Sequence, residues 1–138
     1  MTNQDKTVLV TGGSGFIATH CILKLAAAGY KIKSTVRNLD RVSDLNKILD
    51  EAGSTYERLN KIDVDWVSAD LTKDEGWSEA VKGCDYVMHV ASPVALEEPK
   101  DENDLIVPAR EGTLRVIKAA NEEGVKKIVL TSSVAAII

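Results

Sequence analysis

The sequence predicts a doubly wound α/β domain built on a parallel sheet of about five strands. Three observations predict it. Short β-branched, apolar runs recur along the 138 residues, and helical apolar spacing fills the intervals between them. No repeat, low-complexity tract or linker interrupts the alternation. Strands alternating with helices over a whole chain imply parallel pairing through right-handed crossovers.

The elements follow in order. Lys6-Thr7-Val8-Leu9-Val10-Thr11 is β-branched, apolar and ends in glycines, the pattern of a strand buried on both faces. From Phe16 to Ala28 the apolar positions Ile17, Cys21, Leu25 and Ala28 recur at helical spacing, and Gly29 closes the helix. Lys31 to Val36 alternates as a second strand. Asn38 is placed to cap a helix with the face Val42, Leu45, Ile48, Leu49 and Ala52, which Gly53 ends. Gly53 to Lys61 is polar and aperiodic, hence a loop. Ile62 to Val67 alternates as a third strand stopping near Asp70, and a short helix covers about Asp74 to Val81. Asp85 to Val90 is the fourth strand, stopped by Ser92-Pro93. Leu96 to Asn103, acidic around Pro99, reads as a solvated loop. A long helix then runs through Ile106, Ala109, Thr113, Val116, Ile117 and Ala120 to Gly124, before a fifth strand over Lys126 to Thr131.

Composition bounds the function. The formal charge is -4, with 44% hydrophobic and 28% charged residues, the balance of a soluble globular protein. No apolar run approaches the roughly 20 residues of a membrane-spanning helix. The polar Met1 to Lys6 runs straight into a strand, which is no secretory signal. An acidic balance argues against nucleic acid as a partner. Cys21 and Cys84 stand far apart with no Cys-x-x-Cys spacing or histidine cluster, so neither a disulfide framework nor a metal site is expected, and a reducing, cytoplasmic compartment fits. Nothing in the sequence identifies an oligomeric state. The apolar Ala135-Ala136-Ile137-Ile138 carries no turn or charge after it, so the sheet reads as cut off after its fifth strand, an exposed parallel edge.

The chemistry lies at the strand ends. Directly after the first strand comes Thr11-Gly12-Gly13-Ser14-Gly15-Phe16-Ile17-Ala18, with Gly12, Gly15 and Ala18 three apart. Such spacing serves a tight strand-to-helix turn, close approach of a pyrophosphate, and close packing of helix on strand. The helix start then offers free N–H groups to the phosphates. Phe16 after Gly15, where a P-loop has Lys-Ser/Thr, excludes that loop; the fold is Rossmann-type. At the end of the second strand stand Val36-Arg37-Asn38, where an NAD-specific site places an acid for the ribose 2′-hydroxyl. A guanidinium favours a 2′-phosphate, so the expected cofactor is NADP, with Arg41 one turn on as a second cation.

The residues at the carboxyl ends of the strands, where the ligand of such a sheet lies, make a resemblance specific. Val10 to Ala18, Thr35-Val36-Arg37, Ala69-Asp70-Leu71, Val87 to Pro93 and Leu130-Thr131-Ser132-Ser133 together resemble the extended short-chain dehydrogenase/reductase family, within the epimerase/dehydratase superfamily. The nearest likeness is to its dihydroflavonol, cinnamoyl-CoA and aldehyde/ketone reductase group. The resemblance implies that Gly12, Gly15, Phe16 and Ile17 contact the pyrophosphate and Arg37 the 2′-phosphate. It implies that Asp70 and Leu71 flank the adenine, while Val90, Ala91 and Ser92 line the ribose and nicotinamide side. Ser133 matches the catalytic serine that hydrogen-bonds the substrate oxygen, with Ser132 the adjacent alternative.

Three departures from the family pattern matter. The Tyr-x-x-x-Lys pair is missing: Tyr30, Tyr56 and Tyr86 are followed four residues later by Ser34, Asn60 and Val90. General acid catalysis of that kind contributes ~10²–10⁴ in rate, so the 138 residues alone are expected to be poor catalysts. Ala109 stands where the classical branch has asparagine. The C-terminal substrate-binding region is absent. His89 reads as a structural residue of a buried strand, His20 as non-catalytic, and Trp66 and Trp77 as packing residues. The expectation is therefore an NADP-binding Rossmann domain over residues 1–138, the N-terminal part of a larger oxidoreductase acting on a small-molecule carbonyl or alcohol. Two alternatives stay open: a nucleotide-sugar epimerase or dehydratase, and a non-enzymatic dinucleotide sensor.

Overall fold

The first strand feeds two cores at once. In the computed structural model, which describes residues 3–93 and 98–138, strand β1 (Thr7–Val10) turns Leu9 to one face of the sheet and Val10 to the other, both fully buried. Complete burial of such side chains stabilises by ~1.5–3 kcal/mol each. On the Val10 face lie α1 (Phe16–Ala27) and α2 (Val42–Ala52), which contribute Ala18, Ile22, Leu23 and Leu49. On the Leu9 face lie α3 (Trp77–Val81) and α4 (Asn103–Glu122), with Trp77, Ala80, Val81, Val116, Ala119 and Ala120.

With β2 (Lys31–Val36), β3 (Val64–Ser68), β4 (Tyr86–His89) and β5 (Lys127–Leu130), the sheet runs β3-β2-β1-β4-β5, entirely parallel. Register is shared across it: Val8 pairs with Ile32 on one side and Tyr86 on the other. The chain winds outward from β1 to β3 and then crosses to β4 on the far side of β1, so strand order reverses between β1 and β4. That reversal opens a crevice above their carboxyl ends. Strand β5 is an edge, with Val129 and Leu130 about half exposed. Among the described residues no helix is long and apolar enough to cross a membrane.

The sequence-based reading needs correction at several places. Gly53 does not end α2: it is helical, and the chain continues as a π turn over Gly53–Glu57 until Arg58 takes the left-handed conformation at φ 56°. Gly53 is required by packing, because a Cβ there would stand 2.7 Å from Ile62 Cδ1. Ile62 in turn is not in the third strand. Its N–H donates to Asp50 Oδ1 at 2.8 Å, which diverts the backbone and seats the side chain against α1 and α2. The short helix starts at Trp77, since Gly76 adopts φ 88° directly before it. Ile17 is exposed and the buried stripe of α1 passes through Ala18 and Ile22 instead. On α4 the residues against the core are the small Gly112, Ala119 and Ala120 around Val116, with Ile106 and Ile117 turned outward. Of the acidic loop read over Leu96 to Asn103, Leu96 and Glu97 lie outside the described residues, and Asn103 is the first residue of α4.

Cys84 is buried in the core and Cys21 half-buried, both free thiols. Burial pushes the Cys84 thiol up to about 11.

Candidate functional site

The crevice is built by short loops that each follow a strand. After β1 the chain makes its glycine turn, and Gly12 sits at φ 71°, a conformation that disfavours any side chain. A Cβ there would also lie 2.9 Å from Ala91 Cβ. Thr35 of β2 holds the turn down: its Oγ1 accepts the Gly12 N–H at 3.0 Å and its carbonyl the Gly13 N–H at 2.8 Å. Gly15 then caps α1 with no side-chain hydrogen bond. The first helical bond is Thr19 N–H to Gly15 O, so among the described residues the N–H groups of Phe16, Ile17 and Ala18 have no protein acceptor. Three free donors at a helix N-terminus with no acid in its first turn are the arrangement that favours an anion.

The turn opens onto a cavity of about 840 Å³. Gly12, Gly15, Phe16, Ile17, Arg37, Asp70, Leu71, Val90, Ala91, Ser92 and Ser133, the residues singled out from the sequence, all stand on its walls. Arg37 is exposed at the end of β2, its carbonyl accepting from Ser68 Oγ at 3.2 Å. Arg41, the second cation read from the sequence, is not on the wall; it closes a short 3-10 turn over Leu39–Arg41 begun by Asn38, whose Oδ1 accepts the Asp40 N–H. Asp70 accepts from Thr72 N–H and Thr72 Oγ1 at 2.9 and 2.8 Å, and these bonds hold its carboxyl below the usual range. Ser133 Oγ accepts from Ala135 N–H at 3.2 Å, at the start of a short 3-10 turn. Among the described residues no group of His, Cys, Asp and Glu could hold a metal ion.

Thr11 organises the opposite wall. Its Oγ1 accepts the N–H groups of Val90 and Ala91, each at 3.0 Å, and therefore donates its own proton to His89 Nδ1 at 2.8 Å. His89 is then neutral with its proton on Nε2. Desolvation lowers its pKa from 6.5. The folded chain thus resists a proton that the unfolded chain takes up. The contribution of His89 to stability is constant above about pH 6.5 and falls as the pH drops below it, by at most ~1.4 kcal/mol per unit. In urea titrations at stepped pH, His89→Asn should flatten that slope; an unchanged slope would refute the assignment.

Residues 9–138 match the 3-beta hydroxysteroid dehydrogenase/isomerase family, a span that takes in the glycine turn and every wall of the crevice. This chain belongs to that family. Among its relatives, the dihydroflavonol 4-reductase of Hordeum vulgare is 40% identical over 134 residues, 96% of this chain and 36% of that protein. An anthocyanidin reductase ((2S)-flavan-3-ol-forming) of Vitis vinifera is 37% identical over 133 residues, 96% of this chain and 37% of its own. The structure of Gre2 from Candida albicans in complex with NADPH superposes with a TM-score of 0.77 at 28% identity, over 95% of this chain and 38% of that one. The chain thus spans just over a third of the length of the curated relatives it matches. The reductase group that the motifs resemble is the one in which these relatives fall.

Several residues that build this member of the 3-beta hydroxysteroid dehydrogenase/isomerase family escaped sequence reasoning. Gly13 carries no mark of its own within the glycine run, although a Cβ there would reach within 2.5 Å of Trp66 Cζ3. The bonds made by Thr11 and Thr35 left no trace beyond a threonine at each strand end, which β-propensity alone explains. Trp77 packs as read, at 2% exposure, but its Nε1 also donates to the carbonyls of Asp70 and Lys73 at 3.1 and 3.2 Å, shaping the loop between them.

Proposed function

We propose that these 138 residues form the NADP(H)-binding part of a reductase that acts on the carbonyl of an aldehyde, ketone or flavonoid-like small molecule. The observation that carries the proposal is the pairing of an unsatisfied helix N-terminus with an exposed arginine at the next strand end. One is an anion site of the pyrophosphate type. The other is a cation where an NAD-specific site has an acid. The names of the relatives, reductases of a dihydroflavonol and an anthocyanidin, and the NADPH held by Gre2 support the same reading.

In this reading the Phe16, Ile17 and Ala18 N–H groups hold the pyrophosphate, and Gly12 and Gly15 let it approach the backbone. Arg37 holds the 2′-phosphate. Asp70 and Leu71 flank the adenine, and Val90 and Ala91, fixed by Thr11, line the nicotinamide side together with Ser92. When bound, the dinucleotide supplies the hydride. Ser133 keeps its hydroxyl proton while its oxygen accepts from Ala135, so it can donate to a substrate oxygen. The general acid pair, Tyr-x-x-x-Lys, is absent from these 138 residues.

The test is a pair of fluorescence titrations of the chain, one with NADPH and one with NADH. NADPH should bind at least about tenfold more tightly. Equal affinity would remove the cofactor assignment, and a preference for NADH would move the chain toward the epimerase class.

A further inference from the structure

Behind the Leu71 wall of the crevice, α4 supplies a tie that the dinucleotide reading does not use. The loop from Asp70 to Asp74 exposes three carbonyls to side-chain donors. Trp77, the first residue of α3, takes those of Asp70 and Lys73. The third, Leu71 O, accepts from Arg115 Nη1 at 3.0 Å, while Arg115 Nε donates to Asp74 Oδ1 at 2.6 Å. One guanidinium thus holds two points of the loop from another element 41 to 44 residues away. Gly112, one turn earlier on α4, brings the helix up to the same residue: a Cβ there would lie 3.0 Å from Leu71 Cβ and 3.2 Å from Leu71 O. Arg115 is three-quarters covered, whereas the Asp74 carboxylate is 87% exposed. The covered, bidentate partner is therefore the one that can set geometry.

We propose that Arg115 is a positioning residue for the adenosine half of the crevice, fixing the Leu71 main chain so that its side chain stands as a wall. The inference rests on the dinucleotide reading above. Arg115 itself lies behind the wall and touches no ligand. Removing its guanidinium frees Leu71 O, while Trp77 and the α4 contact at Gly112 keep the loop and the fold in place. The effect should be confined to one half of the ligand, which a general loss of stability would not produce.

The experiment compares the native chain with Arg115→Met, Arg115→Lys and Asp74→Asn. Ligands are NADPH, adenosine 2′,5′-bisphosphate and reduced nicotinamide mononucleotide, with binding followed by calorimetry and NMR. Arg115→Met should weaken NADPH and the adenosine bisphosphate by about five- to tenfold and leave the nicotinamide fragment unchanged. Arg115→Lys, whose single ammonium can reach Leu71 O or Asp74 but does not reproduce the two-point fork, should recover only part of the loss. Unchanged affinity for the adenosine bisphosphate, or equal weakening of both fragments with a lower Tm, overturns the proposal. If Arg115→Met does not fold, Asp74→Asn decides. Its side chain faces solvent, so a roughly twofold loss for the adenosine fragment alone supports the proposal and no loss overturns it. A native chain that binds neither adenosine ligand overturns the dinucleotide reading itself, and the role of Arg115 with it.

Discussion

Gly13→Ala should destabilise this protein more than substitution at the other glycines of the turn whose backbone an alanine can adopt. The new methyl would fall inside van der Waals contact of Ser34 Oγ and 2.5 Å from Trp66 Cζ3. Neither neighbour can retreat cheaply. Ser34 is fully buried and its hydroxyl donates to Val10 O at 2.7 Å, while the Trp66 indole N–H is tied to Asn46 Oδ1 at 2.8 Å. Relief requires shifting the turn away from β2, which breaks the Gly13 N–H bond to Thr35 O. Overpacking and one lost buried hydrogen bond together cost roughly 3 kcal/mol. For a chain of this length the thermal midpoint should drop by about 10 °C. Gly15→Ala is the control. Its φ is -81° and its Cβ would meet only Gly12 O, tight at 3.2 Å, so with the poorer N-cap the midpoint should drop by only about 3 °C, well short of the Gly13→Ala effect. Equal midpoints for the two variants would show that the turn yields where the geometry says it cannot.

Arg37→Ala should separate the two nicotinamide dinucleotides without touching the fold. The side chain is exposed, and the backbone anchor at this position is its carbonyl, which accepts from Ser68 Oγ whatever the side chain. Stability should therefore stay level. A charge-assisted hydrogen bond to a phosphate contributes ~1.5–3 kcal/mol, so NADPH affinity should fall by about 10- to 100-fold. NADH carries no 2′-phosphate and should bind the variant as it binds the native chain. Titration at two ionic strengths adds a second readout: the NADPH salt dependence should weaken in the variant, because an exposed charge pair is screened. Loss of both dinucleotides in equal measure would place Arg37 elsewhere than at a 2′-phosphate.

Much of this molecule is decided within a few residues of chain, and that part is legible in the sequence. Alternation and helical spacing report which side a residue faces, so the five strands and their order of appearance follow from the sequence alone. The glycine turn, Arg37 and the Thr-Ser-Ser run are legible for the same reason: each lies directly after a strand, and parallel pairing with crossovers sends every strand end to one edge of the sheet. The family likeness supplies the proposed roles, because the motifs occur in the family's order along nearly the whole chain.

What only the tertiary structure decided is every property that depends on a distant partner. Ile17 and Ala18 are neighbours at the same helix start, yet the fold exposes one and buries the other, and the spacing of apolar residues was satisfied by either. Gly53 resembled a helix stop but serves the approach of Ile62. Thr11 holds residues 78 to 80 positions away, and Arg115 holds a loop 41 to 44 positions away. A local pattern encodes the period of a backbone, not the atoms that a crossover later brings against it. The strand ends of the crevice were therefore written in the sequence, while the bonds and close contacts that hold its walls in place came into being only when the sheet assembled.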